Sequence, residues 1–190
     1  MRLFASIDLS DDARAAIAAE QAAVVSSLGE GARGLKVVRP EHMHLTLVFV
    51  GDATDAVGAA IVDRMHADIG QAPFELAFGG VGTFPPRGAA RVLWLGVIAG
   101  ADAAITLHAS VASRFEAAGA RVDRRPLQPH LTLARCRHTS GSFRLKATDR
   151  TRRVATVEVA GVTLYQSRLS SSGPTYVRLA QSRLICPPSP

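Results

Sequence analysis

The sequence predicts an α+β fold: a bilobal, pseudo-duplicated chain in which two antiparallel sheets face a central cleft and helices cover the outside. Three observations lead there. The runs read, in order, as strand, helix, motif strand, helix, strand, strand, helix, motif strand, strand, strand. The tetrapeptide His44-Leu45-Thr46-Leu47 returns letter for letter as His130-Leu131-Thr132-Leu133, one copy in each half. No low-complexity linker divides the 190 residues, so residues 1–190 make one bilobal domain, each lobe contributing one motif strand to a shared cleft.

The opening MRLFASID reads as a strand that turns at Ser10, a helix-start residue followed by Asp11 and Asp12 in the first turn. Ile17, Val24, Val25 and Leu28 then recur at helical spacing, and Gly29 stops the helix. A short strand near Lys36 to Val38 and a turn at 39–41 precede the first motif strand, which runs through Val50. A second helix is expected from Thr54 to Ile69, closed by Gly70. Strands follow at Phe74 to Thr83 and Arg91 to Ile98, separated by the loop at 84–88. A third helix, Asp102 to Ala118, places Leu107, Val111, Phe115 and Ala118 on one face before Gly119. The second motif strand follows Pro129, and strands at Val154 to Leu164 and Tyr176 to Arg183 are joined by SRLSSSGP. The tail CPPSP is expected to fray.

Only Cys136 and Cys186 are present, without Cys-x-x-Cys spacing, which argues against a disulfide framework or a zinc ribbon and for a reducing cytoplasm. The apolar start is broken at Asp8, too early for a signal peptide, and no run is long enough to span a membrane. The expectation is a cytoplasmic monomer with no membrane partner. A net charge of +6, from 22 basic and 16 acidic residues, suits a polyanion such as RNA. Because nearly all the basic residues are arginines in an Ala- and Gly-rich chain, coding bias dilutes that signal.

On a strand, residues i and i+2 share a face, so His44 and Thr46 point one way while Leu45, Leu47 and Phe49 point the other. Two such strands would bring two imidazoles and two hydroxyls to one cleft. That set meets the needs of phosphodiester hydrolysis without a metal. One neutral imidazole takes a proton from water and one imidazolium gives a proton to the departing alkoxide, while hydroxyls donate to the non-bridging oxygens. One copy alone reads better as a hydrogen-bonded core histidine than as a functional one. Two identical copies favour chemistry, because a structural repeat keeps its leucines and lets its histidine drift.

With these motifs the chain resembles the 2H phosphoesterase superfamily, and within it the bacterial RNA 2′,3′-cyclic phosphodiesterases, also called 2′-5′ RNA ligase-like proteins. The resemblance runs through MRLFASIDL, RPEHMHLTLVFVG, FPPRGAARVLWLGV, PHLTLAR and LYQSRLSSSGPTYVRL. It implies a bilobal α+β fold and hydrolysis of a terminal 2′,3′-cyclic phosphate, on RNA ends or small cyclic nucleotides, to a 2′-phosphomonoester. No metal or cofactor takes part. It further implies that His44 is the proton donor, His130 the proton acceptor, and Thr46 and Thr132 the phosphate-oxygen ligands. Arg135, five positions after His130, would hold the phosphate; its odd offset requires a bulge to bring it round from the leucine face. An aromatic frequent in relatives is replaced here by Val38. A 2′-5′ RNA ligase running the reverse reaction, a non-catalytic nucleotide- or RNA-binding module, and a metallohydrolase remain as other readings.

The remaining signals are weaker. Gly29 to Gly34 matches G-x-G-x-x-G but follows a helix, the reverse of a dinucleotide site, and reads as a loop. His42-x-His44 lacks a third ligand at metal spacing, and His42 reads as the entrance to the motif strand. His66, His108 and His138 read as surface or packing residues, and the glycines at 79–82 as a bulge or close strand approach. Trp94 is expected in the core; Phe84, Tyr165 and Tyr176 border loops and could stack on a base. Arg91 and Arg168 are the further candidates for RNA contact.

Overall fold

The structure, a computed structural model, describes residues 1–123, 125–136, 143, 145, 152–170 and 173–187; His138 and the last three residues of the tail lie outside them. Strand β1 (Arg2–Ile7) leads to Ser10, whose hydroxyl accepts from the Ala13 amide and caps helix α1 (Asp11–Ser27) as the sequence indicates. Then come a 3-10 turn at Gly29–Ala32, β2 (Leu35–Val37), a second 3-10 turn at Pro40–His42 and β3 (Leu45–Asp52). The order continues with α2 (Asp55–Arg64), β4 (Ile69–Gly70), β5 (Phe74–Phe84), β6 (Val92–Ala99) and α3 (Ala101–Ala117). It closes with β7 (His130–Cys136), β8 (Arg153–Val159), β9 (Gly161–Ser170) and β10 (Gly173–Ile185).

The strands pair in the order β4-β10-β9-β1-β3-β7-β6-β5-β8, with β2 also on β7. Pairing is antiparallel except between β4 and β10. Among the described residues β3 and β7, the two motif strands, meet only at Leu45 and Leu131. The ten strands thus form one open sheet, which that narrow junction joins from two halves. One half comprises β4, β10, β9, β1 and β3; the other comprises β2, β7, β6, β5 and β8.

Helices are exchanged between the halves. Helix α1 packs against β8, whereas α3 packs against β3 and α2. The stripe on α3 is Ala104, Leu107, Val111 and Phe115, all fully buried. His108, on the same helix, donates from Nδ1 to the Leu47 carbonyl at 2.9 Å, a packing histidine in the plain sense. On α1 the buried stripe includes Gln21 beside Ala13, Ile17 and Val24. Its Nε2 donates to the carbonyls of Val38 and Leu133 at 2.8 and 2.7 Å, binding α1 to the second motif strand.

Two element boundaries differ from the sequence reading. The second helix ends at Arg64, not Ile69, because Arg114 of α3 reaches over and donates to the carbonyls of Arg64, Ala67 and Asp68. With those carbonyls satisfied from outside, the chain leaves the helix and Ile69–Gly70 joins β10. The run from 154 to 164 is two strands, not one. β8 pairs with β5 and β9 with β1, so the chain crosses from one half of the sheet to the other at Gly161, where a Cβ would lie 2.7 Å from the Ser182 carbonyl oxygen. The glycine run behaves as expected: the register slips between Gly79 and Val81, and the Trp94 indole fills the space a Cβ on Gly82 would need, at 2.2 Å.

Gln21→Leu keeps the bulk of the side chain and removes both donors, taking its donor from the part-buried Val38 carbonyl and leaving the buried Leu133 carbonyl with the Val38 amide alone. Urea denaturation should show a loss of roughly 1–3 kcal/mol with an unchanged m-value.

Candidate active site

Each motif strand carries a bulge at the same place. Across β6 and β7, Leu93 pairs with Ala134 and Trp94 with Thr132, which leaves Leu133 unpaired. Across β1 and β3, Ala5 pairs with Val48 and Ser6 with Thr46, which leaves Leu47 unpaired. Two consecutive residues therefore face the core in each strand, Leu133 with Ala134 and Leu47 with Val48, all at most 3% exposed. Alternation resumes in the opposite phase. The bulge that Arg135 requires is present, and Arg135 lines the cleft. The same displacement corrects the assignment of Phe49 to the leucine face, since Phe49 also lines the cleft.

The cleft has a volume of ≈ 710 Å³ and is bordered by His44, Thr46, His130 and Thr132 together. In both motifs the histidine Nδ1 bonds the carbonyl two residues earlier, His44 to His42 at 2.8 Å and His130 to Gln128 at 2.7 Å. A carbonyl only accepts, so each Nδ1 carries a hydrogen and each Nε2 is the nitrogen left for proton exchange. Arg135 Nη2 donates to Thr132 Oγ1 at 3.2 Å. Because that bond occupies a lone pair of the hydroxyl oxygen, the Thr132 hydroxyl hydrogen stays available to an acceptor in the cleft.

The two imidazoles sit against different aromatic walls. Phe4 stacks on His44 with ring centroids 4.9 Å apart, and Tyr176 meets it edge-on at 5.5 Å. Around His130, Phe84 is edge-on at 5.0 Å and Trp94 stands at 6.3 Å. Burial among these rings lowers the His44 pKa to about 4, against a partial raising by its carbonyl bond and by Asp8. Burial lowers the His130 pKa as well, with Arg135 adding to the effect. Asp8 is held behind the wall by the hydroxyls of Thr163 and Tyr165, which donate to its Oδ2 at 2.7 and 3.1 Å. Burial first, and Asp8 second, push the Tyr165 phenol up to about 12.

Of the other candidates, Arg91 and Arg168 are exposed and stand outside the cleft wall; Arg168 donates to Gln166. Trp94 is half-buried between His130 and Phe84, so it belongs to the site wall as much as to the core, and its Nε1 has no acceptor among the described residues. Tyr165 and Tyr176 lie within strands, and Tyr176 faces the cleft. His42 borders the cleft too, its ring 4.9 Å from that of Tyr176. Val38 is also on the wall. Sequence reasoning missed Arg2, Phe4 and the Asp123–Arg125 pair, in which Arg125 holds the Asp123 carboxyl down to about 2 by hydrogen bonding. The period of two in MRLF does put Arg2 and Phe4 on one face, but only the pairing of β1 with β3 says that this face meets the histidines.

Paired imidazoles and hydroxyls bordering one cleft, with a guanidinium beside them, define an acid–base site suited to a phosphoester. The chain belongs to the 2′-5′ RNA ligase superfamily, whose family model matches residues 9–170. It is 32% identical to an RNA 2′,3′-cyclic phosphodiesterase of Archaeoglobus fulgidus over 93% of this chain and 96% of that one. It is 30% identical to another of that name from Methanothermobacter thermautotrophicus, over 97% and 99%. Among solved structures, TT0787 of Thermus thermophilus superposes with a TM-score of 0.77 at 28% identity, over 97% of this chain and 98% of that one. Escherichia coli LigT complexed with 3′-AMP does so at 0.78 and 26%, over 96% and 97%.

The depressed His44 pKa has a consequence for stability. An unfolded histidine binds its proton near pH 6.5 and the folded ring only near pH 4, so between those values the unfolded chain holds more protons. The contribution is therefore complete above pH 6.5 and is lost as pH falls toward 4, amounting to roughly 3 kcal/mol. Denaturation curves of the wild type and His44→Asn, compared at pH 7 and pH 4.5, should show the variant losing less stability on acidification by an amount of that order.

Proposed function

We propose that this chain is a metal-independent RNA 2′,3′-cyclic phosphodiesterase, hydrolysing a terminal cyclic phosphate to a 2′-phosphomonoester by two-histidine acid–base catalysis. The observation that carries the reading is the twin device of the cleft: two Nδ1–carbonyl bonds that leave two Nε2 atoms for one phosphorus centre. The relatives named RNA 2′,3′-cyclic phosphodiesterase match the chain nearly end to end, which supports the same substrate class.

His130 takes the proton of the attacking water through Nε2, and His44 protonates the 3′ oxygen as its bond to phosphorus breaks, following the family assignment. Thr46 and Thr132 donate to non-bridging oxygens, and Arg135 neutralises charge beside Thr132. Burial lowers the pKa of both rings, that of His44 to about 4, so the imidazolium needed for donation is favoured by the substrate itself. A cyclic phosphate brings a negative charge within reach of a ring that burial alone would keep uncharged. The chain acts as one bilobal domain, monomeric and cytoplasmic; its described cysteines, Cys136 and Cys186, are both free thiols, and no described helix is long and apolar enough to cross a membrane.

His44→Ala and His130→Ala should each cut kcat on a 2′,3′-cyclic mononucleotide by about 10²- to 10⁴-fold, with chelator present throughout and the product identified as the 2′-phosphate. Full turnover by the double variant, or its loss on chelation in the wild type, contradicts the reading. A bell-shaped kcat/KM profile is also expected. It rises through the lower and falls through the upper apparent pKa of the coupled free pair, and since both rings are lowered from 6.5 the maximum lies below that pH. A maximum above pH 7 would be inconsistent with it.

A further inference from the structure

The two halves of the cleft are alike in their histidines and unlike in what stands beside them. In the second half Leu95 pairs with Leu131 and Gly96 with His130. In the first half Ile7 pairs with Leu45, so the residue that follows Ile7, in the place of Gly96, is Asp8, next to His44. A carboxylate thus stands where the other half has no side chain. Little room is left for one there, since a Cβ on Gly96 would lie 3.1 Å from the Gly79 carbonyl oxygen and 3.2 Å from the Trp94 ring. Asp8 and His44 share the wall of a second cavity, of ≈ 500 Å³, which has His42 and Tyr176 in common with the cleft. The hydroxyls of Thr163 and Tyr165 both donate to Asp8 Oδ2, at 2.7 and 3.1 Å, and so fix the direction in which the carboxylate points.

From this asymmetry we infer that Asp8 is the positioning residue that makes His44, and not His130, the proton donor. The inference rests on the phosphodiesterase reading and gives its donor–acceptor polarity, which the repeated motif leaves open, a cause in this chain's own residues. Asp8 bonds the two hydroxyls and not the ring, so its charge acts through space: it favours an imidazolium at His44 without holding one there permanently. Opposing it at His44 are His42, from the preceding turn, and Arg135, from β7. Around Asp8 stand Glu41 of the same turn and Arg14 of α1, whose guanidinium is engaged by the carbonyls of Leu9, Pro40 and Met43; Arg178 of β10 acts on Tyr165 beside it. His130 faces Arg135, and the Asp123 carboxylate on that rim is tied to Arg125 Nε at 2.8 Å. The charge of a bound cyclic phosphate reaches both rings, whereas that of Asp8 distinguishes them.

The test has two readouts. In NMR titrations of the labelled protein, Asp8→Asn, which keeps the shape and removes the charge, should lower the proton affinity of His44 by roughly threefold or more and leave that of His130 in place. The same variant should cut kcat/KM on 2′,3′-cyclic AMP at pH 7 by a like factor and move one limb of the pH profile to lower pH, and Asp8→Glu should restore most of both. The second readout uses the analogue of that substrate in which sulfur replaces the 3′ oxygen, a leaving group that departs without a proton. On it the defects of Asp8→Asn and His44→Ala should shrink together while that of His130→Ala persists. A rate loss with neither histidine's titration moved makes Asp8 a mere prop for the β9 hydroxyls and overturns the inference. Equal movement of both histidines overturns it too, as does an Asp8→Asn defect as large on the sulfur substrate as on the oxygen one. Should the Asn variant fail to fold, Asp8→Ser, also uncharged, replaces it in every arm. Failure of wild type to turn over either substrate sinks the phosphodiesterase reading instead; the action of Asp8 is then judged by the titrations with 2′-AMP bound, where a His44 curve unmoved by Asp8→Asn refutes it.

Discussion

A single backbone pairing, Leu45 with Leu131, holds the architecture of the site. Each leucine is the residue after its histidine, both are fully buried, and the strands cross antiparallel there. The histidines consequently flank the crossing from opposite sides, and the residues that alternate with the leucines face the cleft. Polar side chains enter a narrow apolar seam without disrupting it because the seam is anchored by neighbours that face away from them. The bulge that follows each threonine has the same logic, allowing two successive core residues and then returning the strand to the cleft.

The protonation of the site follows from packing, not from charge pairing. Among the described residues no carboxylate bonds either imidazole; each Nδ1 rests on a neutral carbonyl, and the rings are enclosed by Phe4, Tyr176, Phe84 and Trp94. A carboxylate partner would hold an imidazole charged in the empty site. Carbonyl and aromatic surroundings keep it neutral and make its charge depend on what enters the cleft.

Much of this was legible in the sequence. The repeated HLTL singles out the two histidines and two threonines that border the cleft, Ser10 announces the first helix, and the odd offset of Arg135 demands the bulge that is found. What escaped was set by contacts distant along the chain. Phe49 was assigned to the wrong face because the bulge at Leu47 leaves no mark on the alternation of LTLVFV. The end of α2 is fixed by Arg114, fifty residues on from Arg64, and the break at Gly161 by the approach of β10. Arg91 and Arg168 are exposed and lie outside the residues that line the cleft, a placement that their positive charge does not give. Phe4 was invisible as a wall of the site until β1 was placed between β3 and β9.

The exchange of helices bears on how the chain acquires its shape during synthesis. Helix α3 covers β3 and anchors it through His108 and the Leu47 carbonyl, 61 residues apart in sequence, while β1 gains its second neighbour only from β9 near the C-terminus. A nascent chain that has completed its first ninety or so residues therefore holds β1 and β3 with neither the cover nor the flank that would protect that pair. A chain arrested before β9 would present the bare edge of β1 to whatever extended polypeptide lay nearby.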